Sequence, residues 1–231
     1  MLTERMVSMA DTDSEFLSDF VYGDENYACI QALRKFADGN SGNSEPILLI
    51  GPSGTGKTHL MTALHRKKTA NTHFNKVLYQ TGDVLVDNIL RRIWEEDKRY
   101  LSHYLNFDML LIDDLSALHG KHSTQQEVIL FLETMKKYSI PVLCTIPDGT
   151  IVTEPIVSRF PGTVLRLASP SNDTIRRLIE FKASRYNLTT LGRKVVRTAV
   201  AARGNGFLIE GALKRCAFQN VFSIHTINDK T

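Results

Sequence analysis

Gly51-Pro52-Ser53-Gly54-Thr55-Gly56-Lys57-Thr58 decides the fold. The run satisfies G-x-x-x-x-G-K-[ST], and each fixed position has a physical reason. Glycines let successive backbone N–H groups wrap the β- and γ-phosphates of a nucleotide. Lys57 reaches the terminal phosphates, and the Thr58 hydroxyl is a ligand for Mg²⁺. A helix that begins at Lys57 points its positive end at the same anion. Pro52, Ser53 and Thr55 complete the loop, and His59 follows it. The apolar run Pro46–Ile50 precedes the loop and a segment with helical spacing, Lys57–Lys68, follows it. That strand–loop–helix context separates a phosphate-binding loop from a plain glycine-rich turn. The cofactors expected from it are ATP or ADP with Mg²⁺.

Outward from the loop, four further short apolar runs recur: Lys76–Gln80, Asp108–Ile112, Pro141–Thr145 and Val164–Leu167. Near-continuous apolar character suits strands buried on both faces. Helical spacing fills the gaps, as in Thr124–Lys137, where Val128, Phe131, Leu132 and Met135 form a stripe. Thr124 and Glu127 have the spacing of a capping box at its start. Strand–helix alternation predicts an α/β fold, a parallel sheet sandwiched by helices. The pattern changes near Ala168–Asn172. Beyond it the segments Asp173–Arg185, Gly192–Ala202 and Leu208–Val221 read as helices. The expected division is an N-terminal tail at 1–14, a nucleotide-binding base domain at 15–169 and a small helical domain at 170–231.

The second chemical signal is Leu110-Leu111-Ile112-Asp113-Asp114, an apolar strand ending in two carboxylates. In a phosphate-loop ATPase, Asp113 holds Mg²⁺ directly or through water, and Asp114 orients or deprotonates the attacking water. Thr145, at the end of the fourth strand, is a candidate to touch the γ-phosphate or that water. Arg159, in Ser158-Arg159-Phe160, is a candidate to neutralise charge on a neighbouring subunit's γ-phosphate. An ordinary strand-end hydroxyl and a surface arginine are the plainer readings of these two.

Composition bounds the rest. The chain has 231 residues, 23% of them charged and 42% hydrophobic, with a formal net charge of +3, which is ordinary for a globular protein and too weak to argue for nucleic acid. Cys29, Cys144 and Cys216 are far apart and form no C-x-x-C pair, so zinc and a disulfide framework are not expected. The first residues lack the apolar run of a signal peptide or membrane span. A cytoplasmic location with no membrane partner is the expectation.

At this point the motifs together resemble those of the DnaA/Hda family of AAA+ replication-initiation ATPases. Gly56-Lys57-Thr58-His59-Leu60 resembles the family's phosphate loop. Leu111-Ile112-Asp113-Asp114-Leu115 resembles its metal-binding strand, and Gly120–Glu127 the segment after it. Phe20-Val21-Tyr22-Gly23-Asp24-Glu25-Asn26 resembles the stretch around adenine, which adds Phe20, Val21, Tyr22 and Asn26 to the nucleotide-binding candidates. Ile209-Glu210-Gly211-Ala212-Leu213 resembles a helix of the lid.

The resemblance implies an AAA+ base with five parallel strands, a three-helix lid, and ATP between them. It implies self-assembly, or assembly with a full-length initiator, with Arg159 acting on the neighbour. It implies a role in starting or regulating DNA replication. Asp87–Tyr104 lies where the family inserts a helix that contacts single-stranded DNA, and Arg91, Arg92, Lys98 and Arg99 are the candidate contacts. Glu95, Glu96 and Asp97 interrupt that basic face, so a solvated helix face is an equal reading.

The sequence departs from the family in places. Phe207 stands where the lid normally presents an arginine to the nucleotide, and a phenyl ring cannot donate to phosphate. Arg203, one turn earlier, is a possible substitute. No sequence-specific duplex-DNA domain is read in the chain. A helicase loader or transposition ATPase of the related branch, and a nucleotide-gated scaffold without hydrolysis, are the alternative functions.

Overall fold

The apolar runs form strands in the computed structural model, which describes residues 17–38, 45–70, 76–95, 100–149, 153–186, 188, 201 and 204–228. The strands are β1 (Ile47–Gly51), β2 (Val77–Thr81), β3 (Met109–Asp113), β4 (Val142–Pro147) and β5 (Thr163–Arg166). They form one five-stranded sheet in the order β2-β3-β4-β1-β5, and every neighbouring pair is parallel. Each predicted run is thus a strand, displaced by a residue or two. Burial on both faces holds throughout β1 and β3 and up to Ile146 in β4. It fails for β2 and β5, which lie half-exposed. Those two close the sheet's edges, where a strand has a neighbour on one side only.

The helices are α1 (Asp24–Asp38), α2 (Lys57–Ala70), α3 (Gly82–Glu95), α4 (Tyr100–Tyr104), α5 (His122–Lys137), α6 (Thr153–Val157), α7 (Asn172–Ser184) and α8 (Gly206–Asn228). Side chains alternate between the faces of a strand, so the sheet carries a core on each side. Leu49, Leu111 and Leu143 pack on one face with Ile30 and Leu33 of α1 and Leu60, Met61 and Leu64 of α2. Ile50, Ile112 and Cys144 pack on the other with Leu85 and Ile89 of α3 and Phe131 and Leu132 of α5. Each fully buried leucine or isoleucine contributes roughly 1.5–3 kcal/mol. Tyr104 of α4, completely buried, ties that short helix to the core by accepting from Asn88 at 3.0 Å and Gln80 at 3.3 Å.

A further expectation needs correction. The capping box at Thr124 and Glu127 does not start α5. The helix begins at His122 with Lys121 at its N-cap and no side-chain cap bond. Gly120, at φ +70°, turns the chain so that the helix is capped three residues earlier than that pattern required, and Thr124 is buried inside the helix. A real cap starts α7, where the Ser171 hydroxyl accepts from the Thr174 amide at 3.2 Å.

After β5, α7 and α8 form a separate small core of Ile175, Ile179, Ala183, Ile209 and Leu213. The helix expected at Gly192–Ala202 falls outside the described residues except for Ala201, and Arg203 and the tail at 1–14 fall outside them altogether. Among the described residues no helix is long and apolar enough to cross a membrane. Parallel order brings the ends of β1, β3 and β4 to one edge of the sheet, the usual place for a ligand in an open α/β fold.

Candidate functional site

A cavity of about 530 Å³ opens at that edge, bounded on one side by the phosphate loop and on the other by α7 and α8. Its size is that of a small-molecule site. Ser53, Gly54, Thr55, Gly56, Lys57, Thr58 and His59 line it, as do Asp113, Asp114, Thr145, Phe20, Val21 and Asn26. Gly51 and Pro52 stand just behind. Their carbonyls accept from the Lys57 ammonium at 2.7 and 3.0 Å. Burial lowers the Lys57 pKa, and the carboxylates of Asp114, Asp113 and Asp148 oppose that shift.

Two loop positions require glycine. Gly54 and Gly56 have φ of +81° and +103°, which L side chains rarely adopt. Space forbids a side chain as well. A Cβ on Gly54 would lie 2.4 Å from the Asn205 side chain, and one on Gly56 would lie 2.6 Å from the Phe20 ring. The loop is therefore a close-fitting cradle. Phe20 also meets the His59 ring edge-on at 5.6 Å. Burial, then Lys182 and Arg66, lower the His59 pKa.

The two aspartates differ. Asp113 is buried at the end of β3, and Asp114 is exposed. The Thr145 hydroxyl joins them, donating to Asp113 Oδ1 at 2.5 Å and accepting from the Asp114 amide at 2.8 Å. Thr145, 0% exposed, is thus committed to the aspartate pair, a role the sequence reading did not give it. Asp114 has φ 62°, and its Oδ1 accepts from the Ser116 amide at 3.0 Å. A left-handed aspartate bonded to its own backbone two residues on is a conformation this side chain tolerates. It turns the chain sharply after β3 while the carboxylate stays at the cavity. A second hydroxyl was missed in the sequence: Tyr79 of β2 donates to Asp113 Oδ2 at 3.0 Å. Burial and the Asp113 carboxylate push the Tyr79 phenol up to about 12.

The adenine-side candidates divide. Phe20 and Val21 line the cavity. Asn26 lines it too, but its amide is engaged elsewhere: Nδ2 donates to the Ala168 carbonyl at 3.0 Å and Oδ1 accepts from the Ala168 amide at 2.8 Å. Asn26 therefore anchors the chain leaving β5. Tyr22 is not among the lining residues. Its hydroxyl accepts from Arg34 at 3.4 Å and its carbonyl from Arg177 at 3.3 Å.

The start of α8 touches the loop directly. The Gly206 amide donates to the Gly54 carbonyl at 2.9 Å, and Asn205 Nδ2 donates to the Ser53 carbonyl at 3.4 Å. Asn205 Oδ1 caps α8 through the amides of Phe207 and Leu208. Phe207 lines the cavity and is 75% exposed. Leu178, Lys182 and Glu210 also line it, none of them singled out as a site residue in the sequence. Glu210 is bonded by Lys182 at 2.5 Å and Tyr186 at 3.0 Å.

Arg159 lies outside the cavity and is exposed just after α6. Arg91 is exposed on α3, which also contains Arg92. Lys98 and Arg99 lie outside the described residues.

Oxygen donors at Thr58 and Asp113 on one cavity suit a hard cation such as Mg²⁺. Among the described residues no group of three or more His, Cys, Asp or Glu is arranged to hold a metal ion. Phosphate oxygens are the natural remaining ligands.

Comparison with known proteins places these features in a family. Residues 12–146 match the model of the bacterial DnaA ATPase domain. The chromosomal replication initiator protein DnaA of Chloroflexus aurantiacus is 27% identical over 206 residues, covering 87% of this chain and 43% of that protein. The chain thus spans under half the length of the curated relatives it matches. Domain III of the Thermotoga maritima replication initiation protein DnaA shares the fold, with a TM-score of 0.74 at 23% identity over 92% of this chain and 91% of that one. A replication initiator DnaA solved with AMPPCP and single-stranded DNA does so too, with a TM-score of 0.73 at 23% identity over 94% of this chain and 69% of that one.

Proposed function

The chain belongs to the family of bacterial DnaA ATPase domains, and from that premise we propose that it binds and slowly hydrolyses ATP in the cavity between the phosphate loop and α8. The proposed setting is the initiation or regulation of DNA replication, through nucleotide-dependent assembly with itself or with a full-length initiator. The observation that carries this reading is the convergence of Lys57, Thr58, Asp113 and Asp114 on one cavity. The proposed division places the base at 15–169 and a lid at 170–231.

Each group has a task. Loop amides and the start of α2 bind the phosphates, while Lys57 supplies a fixed positive charge. Thr58 and Asp113 would hold Mg²⁺, which would neutralise phosphate charge. Asp114, exposed at the cavity, orients the attacking water and accepts its proton. Thr145 acts through the aspartates, fixing both. Phe20 and Val21 give the base an apolar wall.

Arg159, exposed and away from this cavity, is assigned to the γ-phosphate of a neighbouring protomer. Arg91, on the exposed side of α3, is assigned to single-stranded DNA, as are Arg92, Lys98 and Arg99 of the same segment. The known binding of single-stranded DNA by one DnaA of this fold motivates that assignment.

Phe207 favours a second reading. A phenyl ring at the mouth of the site gives the lid no phosphate donor at that position, so turnover is slow. In the limit the chain is a nucleotide-gated scaffold that binds without hydrolysing.

The deciding experiment is Asp114→Asn, with ATP affinity and phosphate release measured side by side. Hydrolysis should vanish while binding stays. Equal turnover in the variant would sink the role given to Asp114, and no phosphate release from wild type at high protein concentration would favour the scaffold.

A further inference from the structure

We propose that Tyr79 is a positioning residue for the metal-side carboxylate, Asp113, an assignment that rests on the nucleotide-binding reading above. Three adjacent strands present three side chains on one face of the sheet: Tyr79 on β2, Asp113 on β3 and Thr145 on β4. Tyr79 pairs with Leu111 in register. Asp113 lies two residues farther along β3, about 6.6 Å at the rise of a strand. A tyrosine side chain spans that distance, and its hydroxyl donates to Asp113 Oδ2 at 3.0 Å. Thr145 donates to Oδ1 from the opposite side. The carboxylate is therefore held at both oxygens by neutral donors on the two flanking strands.

Two donors remove the rotational freedom of a side chain with few barriers about its last bond. Each oxygen has a second lone pair, so a cation, or water bound to it, still finds an acceptor in a fixed direction. Tyr79 is itself oriented by packing against His65 of α2, with ring centroids 5.8 Å apart. Tyr79 is not a wall of the cavity. Its effect on the site passes through Asp113, and hydrogen-bond partners of metal ligands influence metal affinity through such contacts.

The test compares wild type with Tyr79→Phe, which removes the hydroxyl and keeps the ring on His65. A fluorescent ATP analogue is titrated in EDTA, and Mn²⁺ binding to the protein–nucleotide complex is followed by electron paramagnetic resonance. Nucleotide affinity in EDTA should be unchanged. Half-saturation by Mn²⁺ should rise roughly tenfold or more, and phosphate release should recover at high Mg²⁺. In an Asp113→Asn background the same Tyr79→Phe change should leave Mn²⁺ binding where Asp113→Asn alone put it. A Mn²⁺ curve for Tyr79→Phe that overlays wild type would overturn the assignment. So would an equal shift in both backgrounds, which would mark Tyr79 as merely structural. A wild-type chain that binds no nucleotide would overturn the functional reading and this assignment together, and that outcome is visible before any variant is made.

Discussion

Thr145 Oγ1 lies 2.5 Å from Asp113 Oδ1 and in the same geometry accepts the Asp114 amide at 2.8 Å. One buried hydroxyl thus satisfies a carboxylate on one residue and a backbone donor on the next. Thr145→Val keeps the shape and removes both bonds. The Asp114 amide and an Asp113 oxygen are left without this partner, which costs about 1–3 kcal/mol for a buried group. Urea unfolding should show that loss. Phosphate release should fall much more than ATP affinity, because the phosphate loop is untouched.

Gly82 makes a second demand on Asp114. A Cβ at Gly82 would lie 2.2 Å from the Asp114 carbonyl oxygen and 2.9 Å from its carbon. Both are backbone atoms, so no flexible side chain can yield. Gly82→Ala must push the turn that carries Asp114 away from α3. Overpacking of this kind costs about 1–3 kcal/mol. We expect lowered stability and reduced hydrolysis with nucleotide binding retained. Wild-type turnover in Gly82→Ala would show that the turn tolerates displacement.

Much of this site was legible because its signals are local. The phosphate loop is eight consecutive residues whose chemistry depends on their order, and Asp113–Asp114 are adjacent at the end of an apolar run. Pairings across the fold are written in no local pattern. Asn26 bonds to Ala168, 142 positions away, and Tyr79 bonds to Asp113, 34 positions away. Asn26 reads in sequence as an adenine-side candidate and Tyr79 as a plain strand aromatic, and neither reading points to its partner. The false capping box at Thr124 has the opposite cause. A local pattern was present, but the turn at Gly120 started the helix earlier. The edge strands β2 and β5 carry Gln80 and Arg166 where β1 reads Ile-Leu-Leu-Ile-Gly, so a polar signal was written in the runs but outweighed by their apolar residues.

Glu210 gives the packing of α7 against α8 a pH dependence. The Lys182 hydrogen bond is the largest influence, and it holds the Glu210 pKa down at about 2 against burial, from 4.5. A carboxylate with a depressed folded-state pKa contributes stability that is fully present above the unfolded value. That contribution is lost as pH falls from about 4.5 toward 2. Denaturant melts of wild type and Glu210→Gln should therefore differ most at pH 6 and above, and the gap should shrink below about pH 4. A gap that is constant from pH 6 to 3 would mean that the charge on Glu210 is immaterial to the packing of α7 against α8.

Phe207 is the residue whose replacement should add activity. Its amide is fixed by the Asn205 cap at 3.1 Å, so the first turn of α8 directs position 207 in a set way. The Phe207 ring is largely exposed at the cavity, and an exchange there disturbs little packing. Phe207→Arg keeps the cap and supplies a planar donor suited to phosphate. A hydrogen bond to a charged group contributes about 1.5–3 kcal/mol. If that contact forms mainly as charge shifts during phosphoryl transfer, turnover rises by roughly 10- to 100-fold. The comparison is phosphate release by both proteins at several concentrations, with and without single-stranded DNA, beside their ATP and ADP affinities. A rise in turnover means the site is complete except for a lid cation. Tighter binding of ATP and ADP alike, with no gain in turnover, means position 207 meets the ground state only. The slow step then lies with Arg159 in its proposed role on a neighbouring protomer, and turnover should climb with protein concentration in both proteins alike.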